Sequence, residues 1–174
     1  MKILVMYYSR TGRTKALAEA VASGVEDVEG MSSILRKAEA VTENDFRESD
    51  GVIAGSPVYF GTMAAEVKSV FDRLIGTRKE MTGKVGAAFV SGNHHTGGKE
   101  TTLLSILQVM VIYGMLTVGD PIESGGHYGI ATAGDPSDDA LREARLHGRR
   151  VAEIARTFRR GRDSVNREAK EVRE

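Results

Sequence analysis

Short apolar runs alternate with longer helical patterns along the 174 residues, and this alternation restricts the fold more than any other feature of the sequence. A run that is apolar at every position, such as ILVMYY, is typical of a strand buried on both faces. Strands that alternate with helices predict an α/β fold in which a parallel sheet carries helices on both faces. The predicted strands are Ile3–Tyr8, Met31–Arg36, Gly51–Gly55, Val85–Val90 and Met115–Val118.

Helical patterns fill the intervals between these strands. The first begins before Leu17, repeats apolar residues every four positions and has Gly24 near its predicted end. The others are expected around Met63–Leu74, around Leu103–Val111, and from a cap at Ser137 or Asp138 to about Phe158. We therefore expect one domain over residues 1–157, followed by a charged helical extension or tail over residues 158–174. His147, on the last helix, is expected to be solvated or partly packed.

Glycine and histidine concentrate after the strands. Segments 9–14, 56–62, 91–98 and 119–134 hold ten of the twenty glycines and three of the four histidines in 37 residues. Ligands of such sheets bind outside the carboxyl ends of the strands, and right-handed crossovers favour the strand order 2-1-3-4-5. One edge of the sheet is thus predicted to bind a ligand through close backbone approach and polar contacts.

The segment after the first strand has the composition of an anion site. Hydroxyl groups and a glycine precede a helix, whose first N–H groups and partial positive charge favour a phosphate. A simple helix cap built of Ser and Thr is the alternative. The segment lacks the spacing of a P-loop, of a dinucleotide-binding G-x-G-x-x-G loop and of a receiver-domain acidic pair. The candidate phosphate residues are Ser9, Arg10, Thr11, Gly12, Arg13 and Thr14.

Charge and cysteine content exclude several classes of protein. The 24 basic and 24 acidic residues cancel, which argues against a general nucleic-acid binder. No cysteine is present, so disulfides, iron–sulfur clusters and thiolate zinc sites are excluded, and redox chemistry would need a bound cofactor. No export signal or membrane span is visible, and we expect a cytoplasmic protein. The adjacent His94 and His95 would point apart, so no metal site is predicted.

The next two segments suit a flat aromatic ligand. In the second, Pro57 and Gly61 tighten a turn that presents an apolar wall at Val58–Phe60. A core aromatic pair at a strand end is the alternative for this wall. In the third, backbone amides at the glycines and the side chain of Asn93 suit the polar edge of a flat aromatic ligand.

Taken together, these segments resemble a known family. The loop S-R-T-G-R-T is similar to the phosphate loop of flavodoxin-fold proteins, which bind FMN. The segments GSPVYFGTM (55–63), SGNHHTGGKE (91–100), YGM (113–115), and GHYG (126–129) with TAGD (132–135) resemble those of the WrbA-type NAD(P)H:quinone oxidoreductases. The resemblance covers residues 1–157. It implies a flavodoxin-like three-layer α/β sandwich with a five-stranded parallel sheet of order 2-1-3-4-5.

The resemblance also implies a cofactor, substrates and an assembly. FMN would be held by the phosphate loop and by the second and third segments, and NAD(P)H and a quinone would be the substrates. The stacking site would be shaped by Tyr59, Phe60 and Tyr128, with His95 and Tyr113 as minor candidates. A homotetramer is implied, with a dimer as the alternative. The flavin contacts carried over are Pro57, Val58, Tyr59, Phe60, Gly61, Ser91, Gly92, Asn93, His94, His95, Gly97 and Gly98.

Three functions remain open at this point. The first is an FMN-dependent oxidoreductase that transfers two electrons from NAD(P)H to a quinone by a ping-pong mechanism. The second is a flavodoxin that carries one electron at a time between protein partners, although such carriers are commonly acidic and this chain is neutral. The third is a flavin-binding scaffold without turnover of its own.

Overall fold

The computed structural model describes the backbone of residues 1–171, with side chains through Arg162 and at Ser164. The strands are β1 (Lys2–Tyr7), β2 (Ser32–Lys37), β3 (Gly51–Tyr59), β4 (Thr62–Met63), β5 (Val85–Gly92), β6 (Leu116–Thr117) and β7 (Ile130–Ala133). The α-helices are α1 (Arg13–Glu26), α2 (Glu43–Glu48), α3 (Ala65–Arg73), α4 (Lys99–Ile112) and α5 (Asp138–Glu171). Short 3-10 turns occupy Ala38–Ala40, Ile75–Met81 and Ile122–Ser124.

The sheet has the order β2-β1-β3-β5-β6, and its neighbouring strands are parallel. β4 is a short antiparallel partner of β3, and β7 is a second parallel partner of β5. β6 and β7 therefore share the fifth position in the sheet, and the predicted fold class is confirmed. Strand β7 was not predicted from the sequence, because it is short and lies within a glycine-rich segment.

Helices pack on both faces of the sheet and make two separate cores. One core joins α1 and α5 to the sheet through residues such as Leu17, Phe89 and Val151. The other joins α2, α3 and α4 to the opposite face through residues such as Phe46 and Phe71. β1 and β5 are buried along almost their whole length, as their continuous apolar sequences predict.

Helices α1 and α5 approach each other through two glycines. A Cβ at Gly148 would overlap the backbone carbonyl of Val21, and a Cβ at Gly24 would overlap that of Arg145. The guanidinium of Arg145 also donates two hydrogen bonds of 2.6 Å to the carboxylate of Asp27. Gly24 lies near the end of α1, as predicted, and is also a point of close contact with α5.

One residue of the last helix differs from expectation. His147 is fully buried rather than solvated or partly packed, because it lies on the face of α5 that packs on the sheet. The helix continues past Phe158 as far as Glu171. A charged extension is predicted over residues 158–174, of which 172–174 lie outside the described residues. The boundary between this extension and the domain over residues 1–157 stays a prediction. No helix in residues 1–171 has the length and apolar character needed to cross a membrane.

Candidate functional site

Three loops meet at the carboxyl edge of the sheet and line a cleft of about 250 Å³. They begin after β1 and at the last residues of β3 and β5, the central strands, which places them side by side. The sequence predicts all three as ligand-binding segments. The residues lining the cleft are Arg10, Thr11, Arg13, Thr14, Pro57, Val58, Tyr59, Ser91, Gly92 and Asn93.

The first loop leads directly into α1. Gly12 precedes the helix with a φ of 96°, a left-handed conformation that favours glycine, and no side chain of the described residues caps the helix start. The first N–H groups of a helix have no partner within it, so those of α1 are available to an anion. Their position beside the cleft supports the predicted phosphate site.

The hydroxyl groups of this loop have different environments. Ser9 Oγ accepts a hydrogen bond of 3.1 Å from the backbone N–H of Gly12 and so shapes the loop. Thr14 is buried, and its Oγ1 lies 2.8 Å from Ser91 Oγ, which connects α1 to the end of β5. Thr11 is exposed and faces the cleft. Among the three, Thr11 is thus the hydroxyl best placed to donate to a bound phosphate.

Arg13 connects the first loop to two others. Its Nε donates a hydrogen bond of 2.7 Å to Asp135 Oδ1, and its NH1 donates one of 3.1 Å to Asn93 Oδ1. Because the amide oxygen of Asn93 is engaged in this way, its NH₂ group is left to donate elsewhere. Asp135 follows β7 and belongs to the TAGD segment. Its hydrogen bond with Arg13 was not predicted from the sequence.

The second loop supplies the aromatic wall of the cleft. Tyr59 packs edge to face on Tyr8, with ring centroids 6.4 Å apart and an interplanar angle of 72°. Loss of hydration raises the pKa of Tyr8, and a hydrogen bond with Glu66 raises it further. The phenol therefore keeps its proton. Tyr8 was not predicted as a site residue, because it ends an apolar strand. Phe60, next to Tyr59, is fully exposed and has a φ of 50°.

The third loop packs against the second. A Cβ at Gly98 would lie only 2.9 Å from Gly61 Cα, so both segments rely on close backbone approach. Lys99 Nζ donates hydrogen bonds to the carbonyls of His94 and His95 and holds the loop in place. Both histidine side chains are exposed and do not line the cleft. Within the described residues no cluster of side chains could hold a metal ion.

Two predicted residues lie elsewhere in the fold. Tyr113 ends α4 at the opposite edge of the sheet, where its ring packs 5.5 Å from that of Phe71 and its hydroxyl donates to the Phe71 carbonyl. Burial raises the pKa of Tyr113, as expected for a core tyrosine. Tyr113 is therefore a core residue and does not contribute to the stacking site.

Tyr128 precedes β7, and its Cα lies beside Gly119, which follows β6. Its side chain is 46% exposed and does not line the cleft. Residues 118–129 thus leave the lateral edge of the sheet, between β6 and β7. The expectation that Tyr128 joins Tyr59 over the cleft is not met within one chain.

The cleft nevertheless fits FMN. The open helix start suits a phosphate, the Tyr8–Tyr59 wall suits a flat ring, and Asn93 offers an amide donor to a polar edge. Thr132, paired in register with Ser91, also has a buried hydroxyl without a hydrogen-bond partner among the described residues.

Comparison with known proteins identifies the family. Residues 36–127 match the family described as NADPH-dependent FMN reductase. The chain belongs to this family. Its members are flavoproteins by that description, and the predicted FMN cofactor is confirmed. A flavodoxin of Aquifex aeolicus is 37% identical over 170 residues, covering 94% of this chain and 92% of the relative.

Other similar proteins include one with an enzymatic name and one with a solved structure. An NAD(P)H dehydrogenase (quinone) of Archaeoglobus fulgidus is 34% identical over 185 residues, covering 88% of this chain and 97% of the relative. Among solved structures, a WrbA-like flavodoxin of Agrobacterium tumefaciens superposes with a TM-score of 0.78 at 28% identity, covering 90% of this chain and 98% of that one. The resemblance to WrbA-type proteins is confirmed.

Proposed function

We propose that the protein is an FMN-dependent oxidoreductase that transfers two electrons from NAD(P)H to a quinone. NAD(P)H would be oxidised by loss of a hydride, and the quinone would take up two electrons and two protons to become the hydroquinone. FMN supplies the ability to accept a hydride and to pass two electrons on. The observation that carries this proposal is the open cleft beside Tyr59, which suits flat aromatic substrates. The names of several relatives support it.

Each loop has a separate role in this proposal. Thr11 and the start of α1 hold the phosphate, and Arg13 orients the amide of Asn93. Tyr59, supported by Tyr8, forms the surface against which flat rings pack and from which water is excluded. His95 is exposed on the third loop and does not line the cleft, so it has no role in this proposal.

Kinetic measurements on the FMN-loaded protein test the proposal. In this proposal NAD(P)H and the quinone both pack on the same exposed face of the flavin ring, beside Tyr59, and therefore bind in turn. We expect parallel lines in double-reciprocal plots of NADPH oxidation at several quinone concentrations, the pattern of ping-pong kinetics.

Variants of Tyr59 serve as the control for the kinetic test. Tyr59→Ala should lower kcat/KM for the quinone about tenfold, whereas Tyr59→Phe, which keeps the ring, should retain most of it. Tyr128→Ala should resemble the wild type, because Tyr128 lies away from the cleft of its own chain. Intersecting lines in the double-reciprocal plots would show a second substrate pocket and would contradict the single-site proposal.

The similarity to a flavodoxin of Aquifex aeolicus supports a second candidate function, that of a one-electron carrier. A carrier would exchange single electrons with protein partners and would not oxidise NADPH by itself. The net charge of zero offers little electrostatic attraction to a charged partner. If the FMN-loaded protein cannot oxidise NADPH with any quinone, the carrier function is favoured.

A cytoplasmic location is also part of the proposal, consistent with a cysteine-free chain and nicotinamide substrates.

We also propose that the protein is a homotetramer, with a dimer as the alternative. Helix α4 is apolar around most of its circumference, which is typical of a helix covered on all sides. Nevertheless Val111 and Ile112 are exposed at its end, and Ile75 is exposed on the 3-10 turn that follows α3. Light scattering of the FMN-bound protein should therefore give a multiple of 18.8 kDa. A particle of one chain would contradict the assembly.

A further inference from the structure

A second cavity lies at the amino edge of the sheet, opposite the cleft that fits FMN. Its volume is about 530 Å³, within the roughly 300–1,000 Å³ of typical small-molecule pockets. The end of α2, the starts of β3 and β5, strand β6 and residues 155–162 of α5 enclose it. Because β3 and β5 run from this cavity to the flavin cleft, a ligand here would not compete with FMN.

One side of the cavity is apolar. Val85 and Ala155 are buried at its base. Leu116 and Phe158 also line it and are 41% and 54% exposed, a large fraction for such side chains. A ligand with an alkyl or aryl body would remove this apolar surface from water, at about 25 cal/mol per Å².

The other side contains a cation that is partly removed from water. Lys84 Nζ donates hydrogen bonds of 2.9 and 3.0 Å to the carbonyls of Phe46 and Arg47, at the end of α2. Burial lowers the pKa of Lys84, the carboxylates of Asp50 and Glu80 partly oppose that shift, and Arg162 and Arg159 act in the same direction as burial. Carbonyl oxygens satisfy two donors of the ammonium group but do not neutralise its charge.

The carboxylates of the cavity are already paired with other cations. Glu48 pairs with Lys2 at 2.8 Å, and Asp50 pairs with Arg159 at 2.7 Å. Among residues 1–162, no carboxylate forms an ion pair with Lys84 or with Arg162. The cavity thus combines an apolar wall with two cations, Lys84 and Arg162, that form no direct ion pair among residues 1–162.

We propose that this cavity binds an amphiphilic anion, a small molecule with a carboxylate head and an alkyl or aryl body. The carboxylate would pair with Lys84 and Arg162, and the apolar body would cover Leu116 and Phe158. Charge-assisted hydrogen bonds to the head fix its orientation, and burial of the body supplies the affinity. Neither the flavin nor the proposed quinone chemistry is needed for this binding.

Calorimetric titration of the FMN-loaded protein with decanoate tests the proposal. We expect one saturable site per chain, with decanol and acetate each binding at least tenfold more weakly because each lacks one half of the ligand. Lys84→Met keeps the aliphatic stem but removes the charge, and it should weaken decanoate at least tenfold. Lys68→Met is the matched control, since Lys68 lies on α3 and pairs with Asp72 on the surface.

Arg162→Gln provides a second variant that leaves the end of α2 intact. It should weaken decanoate severalfold even if Lys84→Met proves too unstable to titrate. Decanol binding as tightly as decanoate, or unchanged affinity in Arg162→Gln, would overturn the proposal. Absence of saturation with decanoate would overturn it as well. None of these readouts depends on electron transfer.

Discussion

Replacing Gly148 with alanine should lower the free energy of unfolding by about 2 kcal/mol or more. Alanine in a helix is favoured over glycine by about 1 kcal/mol, but overpacking against rigid structure costs about 1–3 kcal/mol and occasionally more. Here the new methyl group would overlap the carbonyl of Val21, a backbone group that cannot rotate away. Helices α1 and α5 would have to separate. Urea unfolding followed by circular dichroism measures the change.

Gly161→Ala is the matched control for this prediction. Gly161 lies in the same helix, and a Cβ there would meet nothing within 4 Å. This variant should therefore be neutral or more stable by up to about 1 kcal/mol. If Gly148→Ala were as stable as Gly161→Ala, the close contact between α1 and α5 would be wrong.

Acid should weaken the protein through His147. Burial lowers the pKa of His147 from 6.5 to about 4, although Asp120 and the backbone of Ala88 oppose that shift. As the pH falls from 6.5 to 4, the unfolded chain takes up a proton on this ring and the folded protein does not. Stability is therefore lost as the pH falls, by about 3 kcal/mol across this interval. Below pH 4 this contribution levels off.

The variant His147→Leu isolates this effect. Other groups titrate over the same interval, so the measurement is the slope of unfolding free energy against pH between 6.5 and 4 in both proteins. The slope should be clearly smaller in His147→Leu, whatever its stability at neutral pH. Equal slopes in the two proteins would show that His147 is protonated in the folded state or is exposed.

Much of the fold and the site could be predicted because it depends on local sequence. The apolar run at β1 predicted a central buried strand, and the hydroxyl and glycine residues at Ser9–Thr14 predicted an open helix start. The order of a parallel sheet then placed the loops after β1, β3 and β5 together. These three loops do line one cleft, which contains Thr11, Tyr59 and Asn93.

The remaining features depend on contacts between distant parts of the chain. Tyr113 and Tyr128 were assigned to the site by their sequence neighbourhoods, but α4 and the interrupted fifth strand place them elsewhere. The hydrogen bond from Arg13 to Asp135 joins residues 122 positions apart and has no local signal. Likewise, the burial of His147 follows from how α5 packs, which a single helix pattern does not specify.

The relative affinity for FMN and riboflavin tests the central claim most directly, because the two flavins differ only in the phosphate. Quenching of flavin fluorescence gives both dissociation constants. Hydrogen bonds to a charged group contribute about 1.5–3 kcal/mol each, so the wild type should bind FMN at least about 100-fold more tightly than riboflavin. Thr11→Val should weaken FMN about tenfold and leave riboflavin unchanged, whereas the distant control Thr157→Val should alter neither. Equal affinity of the wild type for the two flavins would contradict a phosphate site at the start of α1.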